Sequence, residues 1–384
     1  MVVSPVPQLP PLSLYIHVPW CLQKCPYCDF NSHAMGPQPV PEQAYVDKLL
    51  ADLETEAVWA QGRPLQSIFI GGGTPSLLSA EALTQLLQGV RQQLDCEAAM
   101  EVTLEANPGT FEVARFAGFR AAGVNRLSIG VQSFDDGCLQ RLGRVHNAQQ
   151  AQTAITAAQT LGFEHINVDL MHGLPGQSLA MAEADLEQAI DCATDHLSWY
   201  QLTLEPNTLF YSQPPVLPDE DALVDIQDRG QALLQSAGFA QYEVSAWCQP
   251  GNTARHNLNY WQFGDYLGIG AGAHGKVSSI NDGHLEVQRR VKLRQPKAYL
   301  QSMQPLAAND YVAVADLPLE FFMNVLRLRQ GVPENLYAQR TGLALHHVGA
   351  LNRLRQRGLL VAERLQTTAL GWRFLNEVLA DFES

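Results

Sequence analysis

The sequence predicts an α/β fold: a partial, TIM-like (β/α)6 barrel followed by a small C-terminal helical domain. Three observations lead there. Short apolar, β-prone runs alternate with stretches of helical periodicity, which implies a parallel sheet. About six of these runs end in a polar residue or a glycine-rich turn, as in a barrel or open partial barrel whose strand ends converge on one face. From residue 317 onward the composition shifts to short helices.

The elements follow in order. Residues 1–12, with four prolines, form a lead-in, and residues 13–18 are the first strand. From Glu42 to about Gln61, Tyr45, Leu49, Leu53 and Val58 recur at helical spacing. The second strand, residues 67–70, runs into Gly71-Gly72-Gly73-Thr74-Pro75-Ser76. Without side chains, such a turn lets a ligand approach the backbone closely, although a tight strand-to-helix turn would look the same. Residues 100–105 alternate as a strand ending in Glu105, with a helix around residues 111–122. Residues 127–131 form the next strand, ending at Gln132, with helices from about Asp135 and Ala148. Residues 166–170 carry Asp169 at a polar tip, and a further strand spans residues 197–204. A helix near residues 222–237 and a strand at residues 242–246 end the repeat. This spacing nominates Glu105, Gln132 and Asp169 as neighbours at one end of the sheet; singly, each would read as a polar cap on the next helix. Residues 13–284 thus form the barrel with its following glycine-rich elements, residues 285–316 a linker with one short helix near residues 297–303, and residues 317–384 the helical domain.

The densest chemistry is Tyr15-Ile-His-Val-Pro-Trp-Cys21-Leu-Gln-Lys-Cys25-Pro-Tyr27-Cys28. Cubane iron–sulfur clusters normally take four cysteine thiolates, so three close together leave one iron without a protein ligand. Zinc is the alternative, with His17 or His33 completing a four-ligand site. Seven cysteines in 384 residues, three of them crowded and with no signal peptide ahead, do not resemble an extracellular disulfide framework. Cys96, Cys138, Cys192 and Cys248 are scattered and read as small buried apolar residues.

Cys-x3-Cys-x2-Cys with Tyr27 before the last cysteine resembles the signature of the radical S-adenosylmethionine (SAM) superfamily. The flanking Tyr-Ile-His-Val-Pro-Trp and Cys-Pro-Tyr-Cys-Asp-Phe-Asn-Ser are similar to the branch holding anaerobic coproporphyrinogen III oxidases and HemW heme chaperones. The likeness extends over nearly the whole chain. It implies a [4Fe-4S] cluster on Cys21, Cys25 and Cys28, with SAM chelating the open iron. It also implies SAM contacts from Tyr15, Tyr27, Gly72, Gly73, Thr74, Glu105, Gln132, Arg144 and Asp169. Arg144 suits the SAM carboxylate, and Glu105 and Asp169 suit ribose hydroxyls. His256-Asn257-x-x-Tyr260-Trp261 matches a HemW motif, which implies heme beside His256, Tyr260 and Trp261. The C-terminal domain resembles the winged-helix-like domain of the same branch.

Oxidases of this branch place a fourth cysteine where this chain has Phe30, and they carry a longer N-terminal extension. Both departures favour a chaperone that binds heme and passes it to acceptor apoproteins without coproporphyrinogen III oxidase activity. The alternative is a radical enzyme of porphyrin biosynthesis; whether SAM is cleaved, and whether the chain acts as a homodimer, stays open.

The formal charge of −14 argues against nucleic acid as a partner. Arg289-Arg290-Val-Lys292-Leu-Arg294 is a local exception, read as a solvated loop or as a contact for acidic groups such as propionates or the headgroups of a peripheral membrane. No apolar run reaches the roughly 20 residues of a membrane span, and a cytoplasmic location is expected. The glycine-dense stretch from Gly264 to Gly275 reads as a close-packed strand and turn, since no helix follows to hold a phosphate.

Overall fold

The computed structural model describes residues 8–383; most of the expected lead-in, residues 1–7, lies outside the described residues. Six strands are parallel and adjacent in chain order: β1 (Leu12–Val18), β2 (Leu65–Gly72), β3 (Cys96–Ala106), β4 (Arg126–Gln132), β5 (His165–His172) and β6 (His196–Gln201). They alternate with α1 (Glu42–Glu56), α2 (Ala80–Gln93), α3 (Phe116–Ala122), α4 (Ala148–Thr160) and α5 (Leu179–Asp191), and α6 (Glu220–Ser236) follows β6. β1 is buried everywhere except at Tyr15, which is half-buried, as a parallel strand covered on both faces should be. Helix starts are fixed locally. Ser79 accepts the Ala82 N–H at 3.1 Å ahead of α2, and Asn147 and Gln150 form a reciprocal capping box ahead of α4.

The sheet stays open. Past β6 it continues through the short antiparallel strands β7 (Ala240–Gln241) and β8 (Ala246–Cys248), with β8 next to β6. On its other side β1 pairs in parallel with β9 (Asp265–Ile269), which α7 (Arg255–Trp261) precedes. From β9 the sheet runs antiparallel through β10 (His274–Asn281), β11 (His284–Lys292) and β12 (Leu306–Tyr311), making twelve strands in all.

Several expected bounds shift. The helix expected to reach Gln61 ends at Glu56, passes through a 3-10 turn at Ala57–Ala60 and stops where Gln61 turns left-handed at φ 50°. The helix expected at residues 111–122 breaks into Thr110–Val113 and α3. The strand expected at residues 242–246 is instead a turn into β8, because the chain reverses there to pair antiparallel with β6.

Residues 285–316 are the main departure. The expected short helix is there, as α8 (Pro296–Gln301), but on either side of it lie β11 and β12 of the main sheet rather than linker. The basic run in β11 is accordingly no solvated loop. Lys292 is buried with its Nζ 2.6 Å from both Asp52 and Glu56 of α1, and Arg290 grips Glu56 at 2.8 and 2.9 Å. Asp265 at the head of β9 is a second buried knot, accepting from Arg63 at 2.7 Å, Lys276 at 2.9 Å, and the Ser278 N–H and Oγ at 2.9 and 2.8 Å.

The C-terminal part packs α9 (Leu317–Val325), α10 (Asn335–Thr341) and α11 (Gly349–Gln356) around Phe321, Phe322, Tyr337 and Leu354. Phe263 and Val287 join that core, so the helical domain is seated on the sheet extension. Past α11 the described residues make only the isolated bridges Leu360 to Thr367 and Val332 to Leu365, so the winged-helix likeness lies in the helices. Among the described residues no helix is long and apolar enough to cross a membrane.

Candidate cofactor site at the strand ends

The C-terminal ends of β1 to β6 surround a cavity of about 480 Å³. The loop after β1 lines one wall with Cys21, Cys25 and Cys28, all three free thiols. The loop is tightly held: Cys28 donates its N–H to the Cys25 carbonyl at 3.1 Å, and Asn31 donates to the carbonyls of Ala271 and Arg294, both at 2.9 Å. Among the described residues no three of His, Cys, Asp and Glu group closely enough to hold one metal ion, as a mononuclear zinc site would need. Both His17 nitrogens are also engaged, one with the Tyr15 hydroxyl at 2.7 Å and one with the Asn31 carbonyl at 2.9 Å. Three thiols spaced around a wall suit a polynuclear cluster better than a single ion. Burial pushes the Cys21 and Cys28 thiols up, so metal charge is what would favour their thiolate form.

Opposite the thiols, the glycine turn after β2 has no room for side chains. A Cβ on Gly72 would lie 2.5 Å from the His17 ring, with φ already at +116°, and one on Gly73 would lie 2.5 Å from the Trp20 carbonyl oxygen. Glycine here therefore lets the loop after β1 and the turn after β2 close on each other. Thr74 is buried beside them and accepts from Asn107 at 3.1 Å.

The next strands supply the polar groups. The Glu105 carboxyl accepts the Gly72 N–H at 3.0 Å; burial, and then the nearby Asp169, push its pKa up to about 8. Asp169 is raised too, by burial, although it accepts from Ser128 at 3.0 Å and from Asn167 at 2.7 Å. Gln132 sits at φ +71°, where the β4–β5 register slips between Gly130 and Gln132. A left-handed non-glycine residue at a bulge re-aims its side chain. Here the Gln132 side-chain Oε1 accepts from the Tyr200 hydroxyl at 2.8 Å. Arg144 donates to Asn107 and to the Gly130 carbonyl, both at 2.7 Å, and lies 3.7 Å from the Cys25 sulfur; its Nε is buried with no partner. That orphaned donor belongs to a guanidinium lining the polar cavity, the kind of group an anionic ligand would satisfy.

Cys21, Cys25, Cys28, Tyr27, Gly72, Gly73, Thr74, Glu105, Gln132, Arg144 and Asp169 all line this cavity. Sequence reasoning missed Asn107, Ser128, Asn167, Ser198 and Tyr200. Asn107 and Asn167 each stand two places from a nominated carboxylate, the spacing that keeps one face of an extended chain.

Tyr15 and Tyr260 line instead a second cavity of about 560 Å³ beside the first, and Phe30, Phe69, Gly72, Glu105 and Trp261 belong to both. The second cavity is walled by Tyr260, Trp261, Phe263 and Tyr266, and rimmed by His274, Arg289 and Arg294. Phe30 stands 60% exposed at the junction. His274 is exposed, its pKa lowered by burial first and then by the charges of Arg289 and Arg294.

His256 lines the first, thiol-lined cavity rather than the second and is 8% exposed. Its Nδ1 is 3.0 Å from Glu101, its ring stacks on Phe69 at 4.4 Å, and Glu101 also binds Arg126 at 2.9 Å. Burial alone would raise the Glu101 carboxyl, but His256 and Arg126 hold it well below the usual range.

The Radical SAM superfamily model matches residues 15–189, and the HemN C-terminal domain model matches residues 312–374. The chain is 53% identical to the heme chaperone HemW of Escherichia coli (strain K12), over 98% of this chain and 99% of that protein. It is 50% identical to the heme chaperone HemW of Haemophilus influenzae, again over 98% and 99%. Among solved structures, coproporphyrinogen III oxidase (HemN) from Escherichia coli superposes with a TM-score of 0.81 at 23% identity, over 98% of this chain and 91% of that one, a likeness of fold.

Proposed function

The chain belongs to the HemW family of the radical SAM superfamily, and on that premise we propose that it is a heme chaperone, binding heme next to a [4Fe-4S] cluster and SAM and passing heme to acceptor apoproteins in the cytoplasm. The observation that carries the reading is the pair of adjoining cavities, one polar and thiol-lined, the other aromatic, with Phe30 at their junction. Cys21, Cys25 and Cys28 would ligate the cluster. Arg144 would meet the SAM carboxylate through its orphaned Nε, Glu105 and Asp169 the ribose hydroxyls, and the Gly72–Gly73 backbone the amino group. Tyr27, Thr74 and Gln132 would shape the walls of the thiol-lined cavity, and Tyr15 the wall of the aromatic one beside it. When bound, the reduced cluster and SAM supply one-electron chemistry. Phe30 fills the position of the fourth cysteine in oxidases of this branch, which favours carriage over turnover.

Anaerobic reconstitution with iron and sulfide followed by ferric heme titration tests this. Stoichiometric heme uptake is expected, with no conversion of coproporphyrinogen III to protoporphyrinogen IX in the presence of SAM and reductant. Catalytic turnover, or no heme uptake at all, would reverse the reading.

Tyr260 and Trp261 would flank the porphyrin, whereas His256, outside the aromatic cavity and with its Nδ1 on Glu101, would brace the sheet. The variant His256→Ala removes a charge-assisted contact, typically about 1.5–3 kcal/mol. A lower melting temperature is expected, with an unaltered Soret band; a shifted band at unchanged stability would make His256 the iron ligand.

A further inference from the structure

We infer that the aromatic cavity is the heme seat and that His274 supplies the iron ligand, with Arg294 facing a propionate. The inference rests on the heme-carrying reading above and adds the residues that read the ligand. A cavity of about 560 Å³ falls in the usual range for small-molecule sites, roughly 300–1,000 Å³. Tyr260, Trp261 and Tyr266 give it aromatic walls that a porphyrin face packs against, with Phe263 buried behind them and Arg327 over one face of Trp261 at 4.2 Å. Phe30, largely exposed on the cysteine loop, is a fifth ring at the entrance whose apolar surface has no cover in the protein.

His274 is the imidazole on this cavity with its ring available. It opens β10 at the rim, is exposed, and makes no side-chain hydrogen bond among the described residues. The other histidine on this cavity, His17, has both nitrogens bonded, and His256 lines the neighbouring thiol-lined cavity instead, its Nδ1 on Glu101. Imidazole is the usual nitrogen ligand of heme iron, and coordination here needs only donation of the ring lone pair to the metal in place of a water.

Charge agrees. In a chain of net charge −14, the dianionic edge of heme is repelled by most of the surface. At this cavity Arg294 is exposed with no carboxylate partner among the described residues, Arg289 is committed to Glu320 and to the Tyr266 hydroxyl at 3.2 Å, and Asp29 is the exposed carboxylate. Arg290 and Lys292 of the same basic run are neutralised inside, so Arg294 is the member left to meet a ligand.

The test is ferric heme titration of the full chain in three forms. The unaltered protein is expected to give a histidine-ligated Soret band. His274→Ala should lose that band and bind about tenfold more weakly, with added imidazole restoring the spectrum. Arg294→Glu should weaken binding while leaving the band position unchanged. If the unaltered protein binds heme and His274→Ala keeps both band and affinity, the assignment of His274 is overturned while heme carriage stands. If the unaltered protein does not bind heme, both fall.

Discussion

Serine at Cys21, Cys25 or Cys28 is expected to remove the iron–thiolate absorption almost completely and bring bound iron toward zero after anaerobic reconstitution. Each thiol would hold one of only three protein-ligated irons, and a serine hydroxyl is not a thiolate at neutral pH. No other cysteine can substitute, since Cys96, Cys138, Cys192 and Cys248 do not line the cavity, and both nitrogens of His17 are bonded. Cys96→Ser serves as the control, since Cys96 begins β3 at the end remote from the site, and it should load normally. A full cluster signal in all three single variants would remove the iron–sulfur assignment.

Asp265→Asn is expected to cost roughly 3–5 kcal/mol of stability, the usual effect of leaving a buried charge uncompensated. The amide keeps the shape but leaves Arg63 and the fully buried Lys276 without their carboxylate. Burial alone would raise the Asp265 carboxyl; Lys276 and Arg63 outweigh it and hold the group below its ordinary value. A carboxyl lowered by folding stabilises above its unfolded pKa, about 3.9, and that contribution disappears as pH falls through the folded value. Urea midpoints across pH should therefore show an acid-side loss in the unaltered protein that is flatter in the variant. Equal slopes would take Asp265 out of the acid response.

Much of this was legible beforehand because parallel strands buried on both faces are continuous apolar runs with polar tips. Glu105, Gln132 and Asp169 stood out for that reason, and they do share one cavity. The strands β11 and β12 were not legible. Arg290 and Lys292 read as solvent-facing because the carboxylates that let them be buried, Asp52 and Glu56, lie far away in α1. No local pattern records such a pairing. The run reads whole as a solvated loop or a contact for acidic groups, and only packing divides it, neutralising Arg290 and Lys292 and leaving Arg294 exposed.

β1 has consequences for biosynthesis. Its Leu12 is in register with Asp265, so one edge of the first strand made stays unpaired until residue 269 has left the ribosome. At about 5–20 residues per second that wait is on the order of tens of seconds. The cysteine loop waits longer, because Asn31 is anchored by the carbonyls of Ala271 and Arg294. Iron offered to the chain before Arg294 has folded back would meet three thiols without the seat that Asn31 anchors.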